Sequence, residues 1–171
     1  MRHKTFLLFF SIFLSAFSSF AQARDSFCTA LNDVLADAGH QFILTKGPTT
    51  DVNETAVKWD CNIPIPGVIS ARVVSAMGLF YEGALCQTKS IDEVRTVYNK
   101  YKTALDNCML GDGYALTTVD NFNKGLEDFK KLIYMLPVTD ATVNPPAHVS
   151  MEVDYYKPTG IYTVILYVWG G

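Results

Sequence analysis

The sequence predicts an α+β fold: one domain with a mainly antiparallel sheet, two principal helices packed on one face of that sheet, and a C-terminal β-hairpin. Three observations lead to this prediction. Apolar residues recur at helical spacing over 24–39 and 91–108. Several short segments alternate apolar and polar residues, as half-buried strands do. The links between those segments are too short for the crossovers that parallel neighbours require.

Both helices have recognisable ends in the sequence. The first is expected to end at Gly39, and the following His40 can cap its last free carbonyls. The second is expected to begin after Ser90, which Glu93 follows three residues later. Serine and glutamate at this spacing form a capping box, which satisfies the free amide groups of a first helical turn. This is the clearest local signal in the chain.

Strands are predicted where short runs are rich in β-branched and aromatic residues. They lie at 42–44, 57–63, 68–74, 79–86, 148–156 and 161–169. The polar stretch 49–55 is predicted to be a loop. The segment 120–136 fits either one helix or a helix over 120–131 followed by a strand, and the second interpretation is favoured.

The first 23 residues have the pattern of a secretory signal peptide. Arg2 and Lys4 make a basic start, 6–17 is an apolar run interrupted only by serines, and Ala21-Gln22-Ala23 is a small-x-small cleavage pattern. A membrane anchor is the competing interpretation, but the apolar run is too short to span roughly 30 Å of hydrocarbon. We therefore expect a secreted or periplasmic domain over 24–171, with no membrane span after cleavage.

The charge of the mature domain argues against two classes of partner. Removal of Arg2 and Lys4 from the 14 basic residues leaves 12 against 17 acidic ones, a net charge of about −5. Nucleic acids and anionic membrane surfaces attract positive fields, so neither is expected to be a partner.

An even number of cysteines in an exported chain predicts two disulfides. The candidates are Cys28, Cys61, Cys86 and Cys108. Free buried thiols are the alternative. No two cysteines have the close spacing of a zinc knuckle, and the mature histidines stand alone, so no metal site is expected.

The length of the second helix limits which cysteines can form a disulfide. Cys86 lies near its start and Cys108 at its far end, roughly 25 Å away, whereas bonded cysteines bring their α-carbons within about 7 Å. Two pairings remain. Cys28–Cys108 with Cys61–Cys86 is favoured because it ties helix to helix and strand to strand. Cys28–Cys86 with Cys61–Cys108 stays open.

No catalytic motif or cofactor-binding motif is recognisable in the sequence. A serine or cysteine nucleophile needs a base, and the two mature histidines have simpler explanations, His40 as a helix cap and His148 as a surface residue. Paired carboxylates could serve a glycosidase-like hydrolase. The candidates on predicted strands are Asp60, Glu82, Glu152 and Asp154. Alternation places Glu152 and Asp154 on one face, which can equally be a solvated face.

Aromatic residues are concentrated in the predicted C-terminal hairpin. Exposed tyrosine and tryptophan are favoured in protein recognition. The candidates for partner binding are Tyr156, Tyr162, Tyr167 and Trp169. The alternative is that these rings pack across strands beneath a helix.

The absence of a catalytic pattern favours a secreted, noncatalytic binding or structural protein of the bacterial envelope that recognises a protein or a surface ligand. The order of elements loosely resembles the fold of secretion chaperones and related small binding modules, in element order only and with no shared motif. Two alternatives remain: a small hydrolase that uses paired carboxylates, and a carrier of lipophilic ligands. The ligand and the oligomeric state are left open by the sequence.

Overall fold

The computed structural model describes residues 26–137 and 146–170. The signal peptide predicted over 1–23 lies outside these residues. Within them the chain forms two α-helices, α1 over 26–38 and α2 over Ile91–Leu105. A π-helical turn over Asp106–Leu110 continues directly from α2. No helix of the described residues is long and apolar enough to cross a membrane.

Eight strands in the described part of the chain form one sheet. They are β1 (Lys46–Val52), β2 (Val57–Cys61), β3 (Ser70–Ser75), β4 (Leu79–Thr88), β5 (Ala115–Val119), β6 (Lys131–Met135), β7 (His148–Tyr156) and β8 (Ile161–Trp169). Their spatial order is β1-β2-β3-β4-β8-β7-β6-β5, and all neighbouring strands are antiparallel. At this level the α+β class with an antiparallel sheet is as the sequence predicts.

The element order repeats once along the chain. A first half consists of α1 and β1–β4, and a second half consists of α2 and β5–β8. Each half is a helix followed by a four-stranded meander. The last strands of the two halves, β4 and β8, pair at the centre of the sheet, so the first strands, β1 and β5, form its two edges. The sequence has no visible repeat, so the halves share a topology rather than residues.

Residues of both helices form one core with alternate residues of the sheet. The helices contribute, among others, Phe27, Leu31, Val34, Val94 and Leu105, and the central strands contribute Tyr81, Val149, Met151, Val164, Leu166 and Val168. All of these side chains are almost fully buried. We call this side of the sheet the helix-covered face.

The start of α2 shows one of the two hydrogen bonds of the predicted capping box. The Ser90 side chain accepts a hydrogen bond from the Glu93 backbone N–H at 3.3 Å. The Glu93 carboxylate accepts from the Thr88 hydroxyl at 2.6 Å instead of from Ser90 itself, and that hydroxyl accepts from the Ser90 N–H. The Thr88 hydroxyl at the end of β4 therefore links this strand to the first turn of α2 through two hydrogen bonds.

The strand predicted at 42–44 is wrong, because these residues form a turn after α1. Phe42 has a φ of 55° and is fully buried, whereas Ile43 and Leu44 are about 70 % exposed. The buried carboxylate of Asp37 holds the turn, since it accepts from the backbone N–H groups of Leu44 at 3.0 Å and Thr45 at 2.7 Å.

Two further segments differ from the prediction. The stretch 49–55, predicted as a loop, contributes its first part to β1. The helix predicted over 120–131 is wrong, because this segment is a loop with turns that leads into β6. Leu126 and Phe129 are buried in that loop, and their spacing of three residues imitates a helical stripe.

One of the two expected disulfides is present. Cys28 of α1 is bonded to Cys108 of the π-helical turn, with α-carbons 5.5 Å apart. Cys61 and Cys86 are free thiols, so the expected second bond is not formed. Strand β3 lies between the strands that carry them. Two strand spacings amount to about 10 Å, beyond the α-carbon distance of about 7 Å that a disulfide allows.

Candidate binding surface

The face of the sheet opposite the helices is the candidate site. In β8, Ile165, Tyr167 and Trp169 point to this side because they alternate with the buried Leu166 and Val168. The strand register carries the same alternation into β3, β4 and β7. We call this side the open face; its central strands contribute Phe80, Glu82, Tyr167, Trp169, His148 and Glu152. Its residues do not belong to the core between sheet and helices.

Four rings on the three central strands of the open face form an aromatic cluster: Phe80, His148, Tyr167 and Trp169. The register creates it, since Trp169 lies directly opposite both Phe80 and His148. The Phe80 centroid lies 4.5 Å from that of Trp169 and 5.8 Å from that of Tyr167. His148 stacks parallel on Trp169 at 5.9 Å. All four side chains remain partly accessible.

Polar contacts fix the orientation of the tryptophan. The Trp169 indole N–H donates to the hydroxyl of the buried Ser150 at 3.3 Å. Burial lowers the pKa of His148 below its usual range, so this ring is neutral at neutral pH. A neutral imidazole can stack on the indole without the cost of burying a charge.

Ion pairs flank the aromatic cluster on both sides. Arg72 and Glu82 meet at 2.6 Å, and Lys131 and Glu152 meet at 2.8 Å. Burial, together with nearby carboxylates, raises the pKa of Tyr167, so its hydroxyl stays protonated. Tyr167 is therefore a hydrogen-bond donor held next to Glu152.

Two carboxylates on the open face have no ion-pair partner among the described residues. Asp60 lies opposite Arg72 in the register, but Arg72 bonds to Glu82 instead. Asp154 accepts from the backbone N–H of Tyr155. The open face therefore has an excess of negative charge.

Two clefts lie on the open face beside the cluster. The larger, of about 350 Å³, lies between the loop after β5 and strand β7, and is lined by residues including Asp120, Phe122, Lys131, Glu152 and Asp154. Phe122 at this cleft is 90 % exposed. The smaller, of about 190 Å³, has Ala84 and Ile165 among its lining residues and includes Arg72 and Glu82.

The structure separates the four aromatic residues singled out from the sequence. Tyr167 and Trp169 lie together in the aromatic cluster. Tyr156 is on the same face and 62 % exposed, but it lies at the opposite end of β7 from His148. Tyr162 lies on the helix-covered side, where it stacks on Tyr155 at 4.6 Å.

Sequence reasoning missed two members of the cluster. His148 was interpreted as a simple surface residue, and Phe80 was not singled out. The alternation within β4 and β7 could have placed each on the correct face. Their contact with Trp169 depends on pairing across the sheet, which the sequence does not display.

The four carboxylates considered for catalysis all alternate onto the open face, and two of them are engaged in ion pairs there. Glu82 bonds to Arg72 and Glu152 bonds to Lys131. Within residues 26–137 and 146–170, no group of three or more histidine, cysteine or acidic side chains could hold a metal ion.

No protein-family model matches the chain, and no curated protein or solved structure shows significant similarity to it. The chemistry of the open face is therefore the guide to function.

Proposed function

We propose that the chain is a secreted, noncatalytic recognition protein that binds a folded protein partner through the open face. The observation that carries this proposal is the aromatic cluster on the three central strands, on the side opposite the helices. Aromatic side chains bury a large area with few rotatable bonds, and they are enriched among the residues that dominate binding energy.

The cluster is held in place before any partner arrives, which favours binding. Trp169 is fixed by its bond to Ser150, by stacking on His148 and by a tilted ring contact with Phe80. Side chains that are already ordered lose little conformational entropy on binding, so more of the contact energy is retained as affinity.

The charges of the open face define the chemistry of the partner. Arg72, Glu82, Lys131 and Glu152 neutralise each other in pairs. The unpaired Asp60 and Asp154 favour a partner whose surface combines an apolar projection with basic side chains at its rim. Exposed charge pairs of this kind mainly accelerate encounter and select the partner, and they weaken with salt.

The disulfide favours an oxidising compartment as the location of the chain. The disulfide between Cys28 and Cys108 would be reduced in a typical bacterial cytoplasm. Together with the signal-peptide pattern at the amino terminus, it supports a secreted or periplasmic location in the bacterial envelope.

The open face supports the two alternative functions less well. A carboxylate hydrolase needs two free acids within roughly 10 Å of each other. The carboxylates of Glu82 and Glu152 already accept bonds from cations. Asp60 and Asp154 are not ion-paired, but they lie on β2 and β7, four strand spacings or about 19 Å apart. A lipophilic carrier needs an apolar cavity, yet charged residues such as Arg72 and Asp120 line the clefts.

The test begins by identifying proteins that co-elute with the mature chain, starting at Arg24, from its native envelope fraction. Binding of each purified candidate is then measured by calorimetry. We expect Trp169→Ala to lower the affinity for a true partner by about 30-fold, because an aromatic hot spot contributes about 2 kcal/mol. Asp154→Asn should lower the affinity by a smaller factor and reduce its dependence on salt.

The matched control lies on the opposite side of the molecule. Lys100→Ala, on the exposed surface of α2, should leave affinity unchanged. Far-ultraviolet circular dichroism and urea midpoints exclude unfolding as the cause of any loss. Unchanged affinity in Trp169→Ala, Phe80→Ala and Asp154→Asn alike would refute recognition through the open face.

A further inference from the structure

The two edges of the sheet differ in their capacity to accept another strand. The edge strand β1 contains Gly47 and Pro48, carries Lys46 and Asp51, and has two irregularities in its register with β2. Proline, charges and irregular pairing are the devices that protect sheet edges from association. The edge at β1 is therefore blocked.

The opposite edge has none of these devices. Strand β5 reads Ala-Leu-Thr-Thr-Val, with no charge, proline or glycine, and all five residues pair regularly with β6. Four of the five are exposed, and Val119 is 41 % exposed. In the described part of the chain, nothing pairs with the outer side of β5. Backbone groups on that side are free to bind another strand.

We infer that β5 pairs with β5 of a second copy of this chain, antiparallel and centred on Thr117. This register places Ala115 opposite Val119 of the second copy, so a small side chain meets a large one. Leu116 lies opposite Thr118, and Asp120 lies opposite Tyr114, so no like charges face each other. The strand is thus complementary to itself, as a two-fold interface requires.

The difference between the edges limits the assembly to two chains. A two-fold axis perpendicular to the sheet consumes both β5 edges and leaves a β1 edge at each end. Because β1 cannot accept a strand, the sheet ends at sixteen strands and does not grow into a filament. The two open faces then lie on the same side of one continuous sheet.

The small size of the interface sets the expected strength. A ladder of five residues buries less than the roughly 1,000 Å² typical of stable interfaces. The dimer is therefore expected to dissociate on dilution, with a dissociation constant on the order of tens of micromolar.

Sedimentation velocity of the mature chain over a range of concentrations tests this pairing. The wild type should shift from monomer towards dimer as concentration rises. Thr117→Lys places like charges opposite each other at the axis and should weaken association up to about fivefold. A mixture of Thr117→Lys with Thr117→Glu should associate at least as strongly as the wild type, because opposite charges then meet.

Thr50→Lys is the matched control, since it adds the same charge to the exposed part of β1, and it should leave association unchanged. Trp169→Ala should also leave it unchanged, which separates this pairing from partner binding by the open face. A wild type that stays monomeric at all concentrations would overturn the inference. Equal dimers in the wild type and Thr117→Lys, or a mixture without rescue, would do the same.

Discussion

The two halves of the molecule have the same order of elements but stabilise it differently. In both, an aspartate stands at the carboxyl end of the helix: Asp37 in α1 and Asp106 after α2. Asp37 bonds to Thr45 in the turn that follows directly. Asp106 bonds instead to Lys102 within the helix and to the hydroxyl of Tyr134 on β6. In the first half, the aspartate therefore stabilises the neighbouring turn. In the second half, it stabilises contact between the end of α2 and the distant strand β6.

A second difference concerns two fully buried tyrosines on the helix-covered face. The Tyr134 hydroxyl of the second half donates to Asp106 at 2.7 Å. The Tyr81 hydroxyl of the first half has no hydrogen-bond partner among the described residues. The same topology thus accommodates a hydrogen-bonded tyrosine hydroxyl in one half and an unsatisfied one in the other. The two hydroxyls therefore contribute differently to the free energy of unfolding.

The largest expected effect comes from the bond that joins the halves. Replacing both Cys28 and Cys108 with serine releases a cross-link that closes a separation of 80 residues. In the loop-entropy picture this lowers the free energy of unfolding by about 4 to 5 kcal/mol. Urea unfolding measures the change.

Reducing agent provides the control for that prediction. It should destabilise the wild type by a similar amount and leave the double serine variant unaffected. Cys61→Ala, at a free thiol, should change stability far less. Equal sensitivity of the double variant to reductant would contradict the assignment of the disulfide.

Asp37→Asn tests the local closure of the first half, with an expected loss of about 2 kcal/mol at neutral pH. Although burial opposes ionisation, hydrogen bonds from Thr45 and Leu44 lower the pKa of Asp37. A lowered folded pKa contributes stability above the unfolded value and loses it as pH falls through the folded value. The difference in free energy of unfolding between the wild type and the variant should therefore be constant near neutrality and shrink below about pH 4.

Asp106→Asn should behave in the same direction, since bonds from Lys102 and Tyr134 outweigh burial and lower the pKa of Asp106. Urea midpoints measured from pH 7 down to about pH 2.5 compare the two variants with the wild type. A deficit that persists unchanged in acid would contradict the role of the ionised carboxylates.

The smallest effects come from the paired tyrosines. Tyr134→Phe removes a hydrogen bond to a carboxylate and should cost about 1 to 2 kcal/mol. Tyr81→Phe removes only an unpaired hydroxyl, so it should be neutral or slightly stabilising. Thermal unfolding of both variants gives the comparison, and equal losses in the two would show that Tyr81 is satisfied after all.

The sequence predicts those parts of the fold that depend on local patterns. The capping box at Ser90 marks the start of α2, and alternation gives the bounds of β7 and β8. The length of α2 excludes a Cys86–Cys108 bond, and the preference for joining helix to helix selects the Cys28–Cys108 bond that is present. Each of these signals lies within a short segment or follows from simple geometry.

The errors have a common physical cause, which is that local hydrophobicity does not reveal tertiary context. Phe42 looks like a strand residue, but its positive φ is stabilised by the buried carboxylate of Asp37. Leu126 and Phe129 anchor a loop with helical spacing. The sequence predicts a bond between Cys61 and Cys86, although the meander places β3 between their two strands. The aromatic cluster needed the pairing of β4 with β8, which joins distant parts of the chain.

The position of β8 has a consequence for how the molecule is made. This strand is the last of the eight to emerge during synthesis, yet it occupies the middle of the sheet between β4 and β7. Until β8 is available, β4 and β7 each lack a pairing partner on one side, and the eight-stranded sheet cannot form. Completion of the sheet thus waits for β8, so the joining of the two meanders is a late event in folding.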